Sequence, residues 1–388
     1  MLCGEGVLFR VSRVCIEGFR AIGSACLDFA GLTVLVGPNG GGKTSLLLPF
    51  SYVRSFSCIR PEEVRRGYRG AKVWMRFEVL NVVSDEVRDL LTRIVTILEG
   101  GDERLRSVAK VFSSERFGIV LDIDATSSTT TRIFGLSEIE YDEVSNDIVF
   151  KLRPGYTVYG KLNDALKELF ANVLLYVGED RNVAYVSDLG RWEGKRLYIY
   201  YPRPKVFERL VRWIGGIARY TDLRIVPELE ERKLRVELFD GYAGAWIDIE
   251  LAAGGVKEAI QILLALASLD EGIVVIDDAE RGLHPAAQLK LAEAIVEAVK
   301  QGVQVILSTH SPTLLLALEK QVVEHGIENE SRLVIVCRDQ RDVRIFSTNL
   351  SIRGTLPEEA QRCLEEMGAL GLFGEGAKLA IELANLQR

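Results

Sequence analysis

Residues Gly37-Pro38-Asn39-Gly40-Gly41-Gly42-Lys43-Thr44 fit the pattern G-x-x-x-x-G-K-S/T, and no other feature restricts the fold as much. The pattern works only between a buried strand and a helix, and both are supplied. The apolar run Leu32-Thr33-Val34-Leu35-Val36 stops at Gly37, and Ser45-Leu46-Leu47-Leu48 continues from Thr44 in helix-compatible residues. Pro49 is expected to shorten or kink that helix. In such a unit the backbone N–H groups from Gly37 to Ser45 converge on phosphate oxygens at a helix N-terminus. Lys43 then brings a point charge to the β- and γ-phosphates, and the Thr44 hydroxyl ligates Mg²⁺. A tight glycine turn alone would need neither the lysine nor the threonine.

A nucleotide held this way also needs a carboxylate for the metal at the end of a neighbouring strand. Ile273-Val274-Val275-Ile276-Asp277 supplies it, with Asp278 next in line to polarise an attacking water. A helix over 286–300 and a strand over 303–307 follow, and Ser308-Thr309-His310-Ser311-Pro312 closes that strand. His310 is a candidate γ-phosphate sensor, because an imidazole can hydrogen-bond a phosphate oxygen. His284 is read as shaping the loop before the helix, and His325 as surface.

The stretch Asp277-Asp278-Ala279-Glu280-Arg281-Gly282-Leu283-His284-Pro285 resembles the extended Walker B and D-loop of ABC-type ATPases of the SMC, RecF and OLD group, commonly written D-E-P-E-x-x-L-H-P. The opening Ile16-Glu17-Gly18-Phe19-Arg20, the run from Leu32 to Thr44 and the His310 loop are similar to the same group, so the resemblance covers residues 8–55 and 250–318. It implies an α/β fold: a P-loop NTPase head of ABC-ATPase type with an antiparallel β subdomain and an inserted α+β lobe. The expected division is 1–70 for the first half of the head, 71–250 for the insertion and 251–388 for the second half with a short tail. It also implies ATP and Mg²⁺ as cofactors, and a homodimer closing head to tail on two nucleotides.

The departures from that pattern point to slow hydrolysis. Leu251-Ala252-Ala253-Gly254-Gly255-Val256-Lys257 stands where the group's signature should begin a helix, with Ala253 at the serine position, so only the amides of Gly254 and Gly255 remain for the partner's nucleotide. Asp278 replaces the usual glutamate and draws the carboxylate back by about 1.3–1.5 Å, a displacement that can cost ~10²-fold in rate. No glutamine precedes Gln261, so the Q-loop residue is absent as glutamine. Glu280 either compensates for Asp278 or orients the D-loop. About 70 residues follow the His310 loop, too few for the Toprim nuclease domain of OLD proteins. The lack of heptads excludes the long arms of SMC proteins.

Composition sets the remaining expectations. With 388 residues, 48% hydrophobic and 27% charged, the chain is globular. No stretch approaches the ~20 apolar residues of a membrane span, which reads as a cytoplasmic protein without a membrane partner. Six cysteines without a C-x-x-C pair suggest neither a zinc module nor a disulfide framework. The net charge of −7 disfavours general coating of nucleic acid. A local basic stretch, Arg60, Arg65, Arg66, Arg69, Lys72 and Arg76 with Tyr68 and Trp74, is a candidate DNA contact against the plainer reading of a solvated strand face. Arg181, after a buried strand, is a candidate for reaching the nucleotide or a partner. Two function classes stay open: an ATPase in DNA maintenance, repair or defence against foreign DNA, and a nucleotide-dependent switch serving a separate effector protein.

Overall fold

The computed structural model describes residues 8–80, 85–112, 114, 116–126, 134–155, 157–178, 190–193, 196–199, 204–218, 220–228, 233–252, 254–338, 342–350 and 358–366. The chain opens with a hairpin, β1 (Leu8–Phe19) and β2 (Ile22–Asp28), followed by β3 (Leu32–Val36) and helix α1 (Lys43–Ser55). Then come β4 (Gly70–Leu80), α2 (Asp85–Glu99), α3 (Glu103–Phe112), β5 (Arg116–Thr126), β6 (Phe134–Asp142), β7 (Asp147–Pro154), α4 (Gly160–Val173) and β8 (Leu174–Val177). The middle continues with β9 (Gly190–Glu193), β10 (Arg196–Ile199), α5 (Pro204–Ala218), β11 (Tyr220–Glu228), β12 (Lys233–Asp240) and β13 (Ala245–Asp248). The last part holds α6 (Gly254–Ser268), β14 (Gly272–Ile276), α7 (Pro285–Lys300), β15 (Val303–Thr309), α8 (Pro312–His325), β16 (Ser331–Arg338), β17 (Val343–Asn349) and α9 (Glu358–Glu366).

Two six-stranded sheets dominate. The core sheet runs β17-β16-β3-β15-β14-β8, parallel except for the antiparallel edge strand β17. The second runs β2-β1-β4-β5-β7-β6, antiparallel except where β5 meets β7. A three-stranded antiparallel sheet, β11-β12-β13, stands apart from both. Side chains alternate across the core sheet as a strand's period of two requires. Leu35, Ile273, Val275, Ile306, Val334 and Val336 enter the apolar cluster shared with α1, α4 and the second sheet. Val34, Val36, Val274, Ile276, Val305, Leu307 and Ile335 face the opposite cluster, built with α5, α6, α7 and α8. A parallel sheet covered on both faces explains why these strands read as unbroken apolar runs.

Residues 71–250, expected as one insertion, divide between three places. β4 pairs with β1 along most of its length, β8 pairs in parallel with β14 as an edge of the core sheet, and only the remainder lies outside the strands of the head. β8 is four residues long, too short to be assigned to a sheet from its periodicity. α1 also runs through Pro49 to Ser55 instead of stopping there. Two disulfides, Cys15–Cys26 and Cys337–Cys363, correct the cysteine reading. Local spacing cannot reveal them, because the first joins directly opposite residues of the β1/β2 ladder and the second ties α9 to β16 across 26 positions.

A buried amide joins the two large sheets. Gln304 on β15 donates from Nε2 to the carbonyls of Val11 and Ala30, each at 2.9 Å, and accepts from the Val11 N–H at 2.9 Å. Those contacts sit at the β1 bulge between Val11 and Arg13, where the ladder to β4 shifts register and leaves backbone groups to be satisfied from elsewhere. Among the described residues, no helix is long and apolar enough to cross a membrane.

Candidate functional site

The parallel order of the core sheet decides where the chemistry gathers. β3, β15 and β14 are neighbours, so the loops at their C-terminal ends, beginning at Gly37, His310 and Asp277, emerge side by side at one rim. Gly37 is fixed by close approach: at φ 153° a Cβ on it would lie 2.1 Å from the Val336 carbonyl oxygen of β16. Asn39 and Gly40 at the loop tip are exposed, Pro38 is half-buried, and Gly41 and Gly42 are buried beneath. Gly42 caps α1 and receives the first helical hydrogen bond, from the Leu46 N–H at 3.1 Å. Ser45 is buried one residue beyond Thr44.

Lys43, on the first turn of α1, folds back over its own loop. Its Nζ donates to the carbonyls of Gly37 and Pro38, both at 3.1 Å, and lies 3.5 Å from His310 Nδ1. Burial lowers the pKa of this ammonium, while the charges of Asp278, Asp277 and Glu280 oppose that fall.

Asp277 follows β14 and is 1% exposed. Its N–H donates to the Val177 carbonyl at the end of β8, and its Oδ1 accepts from Ser308 Oγ at 2.5 Å. Burial raises its carboxyl above the ordinary range, with hydrogen bonds from Ser308 and Thr44 opposing. Asp278 takes a left-handed backbone, φ 51°, which costs a non-glycine residue strain and which aspartate tolerates better than most. Its Oδ1 stands 3.6 Å from His310 Nε2, so the imidazole sits between the ammonium of Lys43 and this carboxylate.

Two further residues hold these parts together. Glu280 grips the switch loop with both oxygens, accepting from Thr309 Oγ1 at 2.7 Å and from the His310 N–H at 2.6 Å. Engaged in this way it is a brace for His310 rather than a spare base for Asp278. Ser308, fully buried on the last turn of β15, contacts Asp277 and Asp278 together. Its sequence signal is its place at the start of the 308–312 motif, where the pattern assigns it no role. His284 caps α7, accepting at Nδ1 from the Ala286 N–H at 3.3 Å, as its loop-shaping reading requires. Ser311 caps α8 and also donates to Gln288 at 2.5 Å.

The signature-like segment is held elsewhere. Gly254 opens α6, exposed, and a Cβ on Gly255 would lie 2.3 Å from the Gly282 carbonyl oxygen, so α6 packs its first turn against the D-loop. Ala253 and Arg181 lie outside the described residues. The basic stretch is not a uniform patch. Arg76 pairs with Asp147 at 2.8 Å and Glu78 at 2.5 Å, Arg65 with Asp342 at 3.0 Å, and Arg60 with Glu62 at 3.9 Å. Arg60, Arg66, Tyr68, Arg69 and Lys72 are its exposed members, and half-buried Trp74 follows on β4.

The donor set fits a magnesium nucleotide. A loop in which Gly37 and Gly42 leave no room for a Cβ, a lysine at its mouth, and the Thr44 hydroxyl and buried Asp277 carboxylate form the oxygen-rich, cation-bearing arrangement that phosphate and Mg²⁺ require.

Known proteins share the family and the fold of this chain. A family model described as "AAA domain, putative AbiEii toxin, Type IV TA system" matches residues 32–317. A curated relative, "Uncharacterized protein MJECL11" of Methanocaldococcus jannaschii, is 36% identical over 86 residues, 22% of this chain and 74% of that protein. Among solved structures, an SMC head bound to the C-winged helix domain of ScpA superposes with a TM-score of 0.53 at 12% identity, covering 88% of this chain and 98% of that one. The SMC head domain from Thermotoga maritima gives 0.44 at 14%, covering 87% and 99%. The fold likeness is taken from the first of these, and at that identity it extends to the fold alone.

Proposed function

The chain belongs to the AAA-domain family whose model spans residues 32–317, and on that premise we propose that it binds ATP with Mg²⁺, hydrolyses it slowly, and closes as a homodimer on the bound nucleotide. The observation that carries this reading is the convergence of Lys43, Asp278 and His310 within 3.5–3.6 Å contacts beside the buried Asp277. Lys43 and the N–H groups of the 37–45 loop, all but Pro38 carrying one, hold the phosphates, and Thr44 with Asp277 holds the metal. When bound, Mg²⁺ supplies charge neutralisation across the β- and γ-phosphates. Asp278 polarises the attacking water, and His310, held by Glu280, registers the γ-phosphate. The partner's Gly254 and Gly255 amides would complete each site, with Ala253 contributing no hydroxyl.

DNA maintenance, repair or defence is the setting this reading favours, in the cytoplasm, with Arg66, Arg69 and Lys72 as the contact to phosphates. A second reading is a nucleotide-dependent switch with little turnover that regulates a separate effector. The shorter Asp278 favours it, and so does the structural neighbour crystallised with a piece of another protein, ScpA.

Phosphate release measured with and without DNA, beside Lys43→Ala, separates the two. Turnover above the control supports the ATPase. Rates equal to the control in both conditions leave the switch. Light scattering of Asp278→Asn with ATP tests closure: a species of twice the monomer mass is expected, and a monomer under every condition overturns it.

A further inference from the structure

We infer that Ser308 is a positioning residue that sets both site carboxylates at once. Its side chain sits at the C-terminal end of β15, fully buried, between the nucleotide loop on β3 and the carboxylates after β14. One hydroxyl does two things. It donates to Asp277 Oδ1 at 2.5 Å and accepts from the Asp278 N–H at 2.8 Å. The Ser308 carbonyl then accepts from the Ala279 N–H at 3.0 Å, so three consecutive residues of the turn after β14 are tied to this single position.

The arrangement explains how Asp278 keeps a left-handed backbone. A non-glycine residue at φ 51° persists only where its surroundings over-determine it, and here the N–H of Asp278 and that of the following residue are both fixed by Ser308. That conformation turns the Asp278 carboxylate back toward His310 Nε2, 3.6 Å away. The same hydroxyl fixes the rotamer of Asp277 by engaging one oxygen, leaving the orientation of the other set by geometry rather than by chance. A β15 residue without a hydroxyl would loosen the metal carboxylate and the turn that aims its neighbour.

This role rests on the reading of Asp277 as the metal carboxylate, but its test does not need turnover. A fluorescent ATP analogue carrying a methylanthraniloyl group is titrated into the full chain in EDTA and then across a Mg²⁺ series, for wild type, Ser308→Ala, Ser308→Val and Ser308→Thr. Thr and Val have nearly the same shape and differ by the hydroxyl, so they separate the hydrogen bonds from packing. The expected result is a tenfold or greater rise in the Mg²⁺ concentration for half-maximal tightening in Ala and Val, recovery to within threefold of wild type in Thr, and affinity in EDTA within twofold throughout.

Wild-type Mg²⁺ dependence in Ala and Val overturns the role, as does a Thr variant that follows Val. Equal losses in EDTA and in Mg²⁺ also overturn it, because they would make Ser308 a packing residue. If wild type tightens on Mg²⁺ as expected yet releases no phosphate, hydrolysis fails while the positioning role stands, so the two failures are distinguishable.

Discussion

Replacing Glu280 by alanine removes two hydrogen bonds from the switch loop, the one to the His310 N–H at 2.6 Å and the one from Thr309 Oγ1 at 2.7 Å. Bonds to a charged group contribute about 1.5–3 kcal/mol each, and because Glu280 is only half-buried, water will replace part of that, leaving about 2–3 kcal/mol for the pair. If that energy holds His310 in register, its loss lowers kcat by roughly 30- to 150-fold. The lysine and loop that bind nucleotide are untouched, so the affinity for Mg·ATP should change by less than about threefold. Glu280→Gln discriminates between a brace and a base. Glutamine keeps an acceptor for the His310 N–H and faces the Thr309 hydroxyl, which can itself accept, so a brace retains most of its rate; a general base loses its proton acceptor and nearly all of it. Steady-state phosphate release at saturating ATP, paired with equilibrium binding, reads both. An unchanged kcat in Glu280→Ala, or a Gln variant as inactive as Asp278→Asn, would overturn the brace.

Other consequences follow from the same contacts. Asp277→Asn should abolish Mg²⁺-dependent tightening of ATP and yet raise the melting temperature of the nucleotide-free protein, because burial penalises the Asp277 charge. With the carboxyl's folded pKa raised, the wild type binds the extra proton as pH falls, so its stability improves toward low pH and the gap to the variant narrows there; a gap that widens would contradict this. Gln304→Leu strands Val11 and Ala30 backbone groups and should cost about 2–4 kcal/mol in urea unfolding. Thiol titration of denatured protein should gain four thiols on reduction, from Cys15–Cys26 and Cys337–Cys363. Reversing Arg66, Arg69 and Lys72 together should weaken DNA binding and flatten its salt dependence, whereas reversing Arg65 alone mainly breaks its pair with Asp342.

The rim of the core sheet was legible because its determinants are local. Gly37 to Thr44 and Asp277 sit directly after apolar runs and His310 three residues after the end of one, and a run of that kind marks a parallel strand whose C-terminal end carries the loop. What the sequence did not reveal is non-local. β8 is too short to announce the sheet it joins, and its neighbour β14 lies about a hundred residues later. The grip of Glu280 on His310 spans 30 positions and depends on how two turns face each other. Ser308 opens the 308–312 loop in the sequence, but nothing in that motif shows that it reaches both aspartates. The basic stretch was legible only in part, since a count of arginines does not register that Asp147 and Asp342, far along the chain, pair with two of them.

Titration of ATP into wild type and Lys43→Ala, each in Mg²⁺ and in EDTA, bears most directly on the nucleotide site. Lys43 is the cation at the mouth of the 37–44 loop, with its Nζ on the Gly37 and Pro38 carbonyls. One ATP per chain should bind to wild type, more tightly with Mg²⁺, and the Mg²⁺-supported affinity should fall by at least tenfold in Lys43→Ala. Equal affinity in the two proteins, or no binding by wild type, would contradict a nucleotide site at this loop.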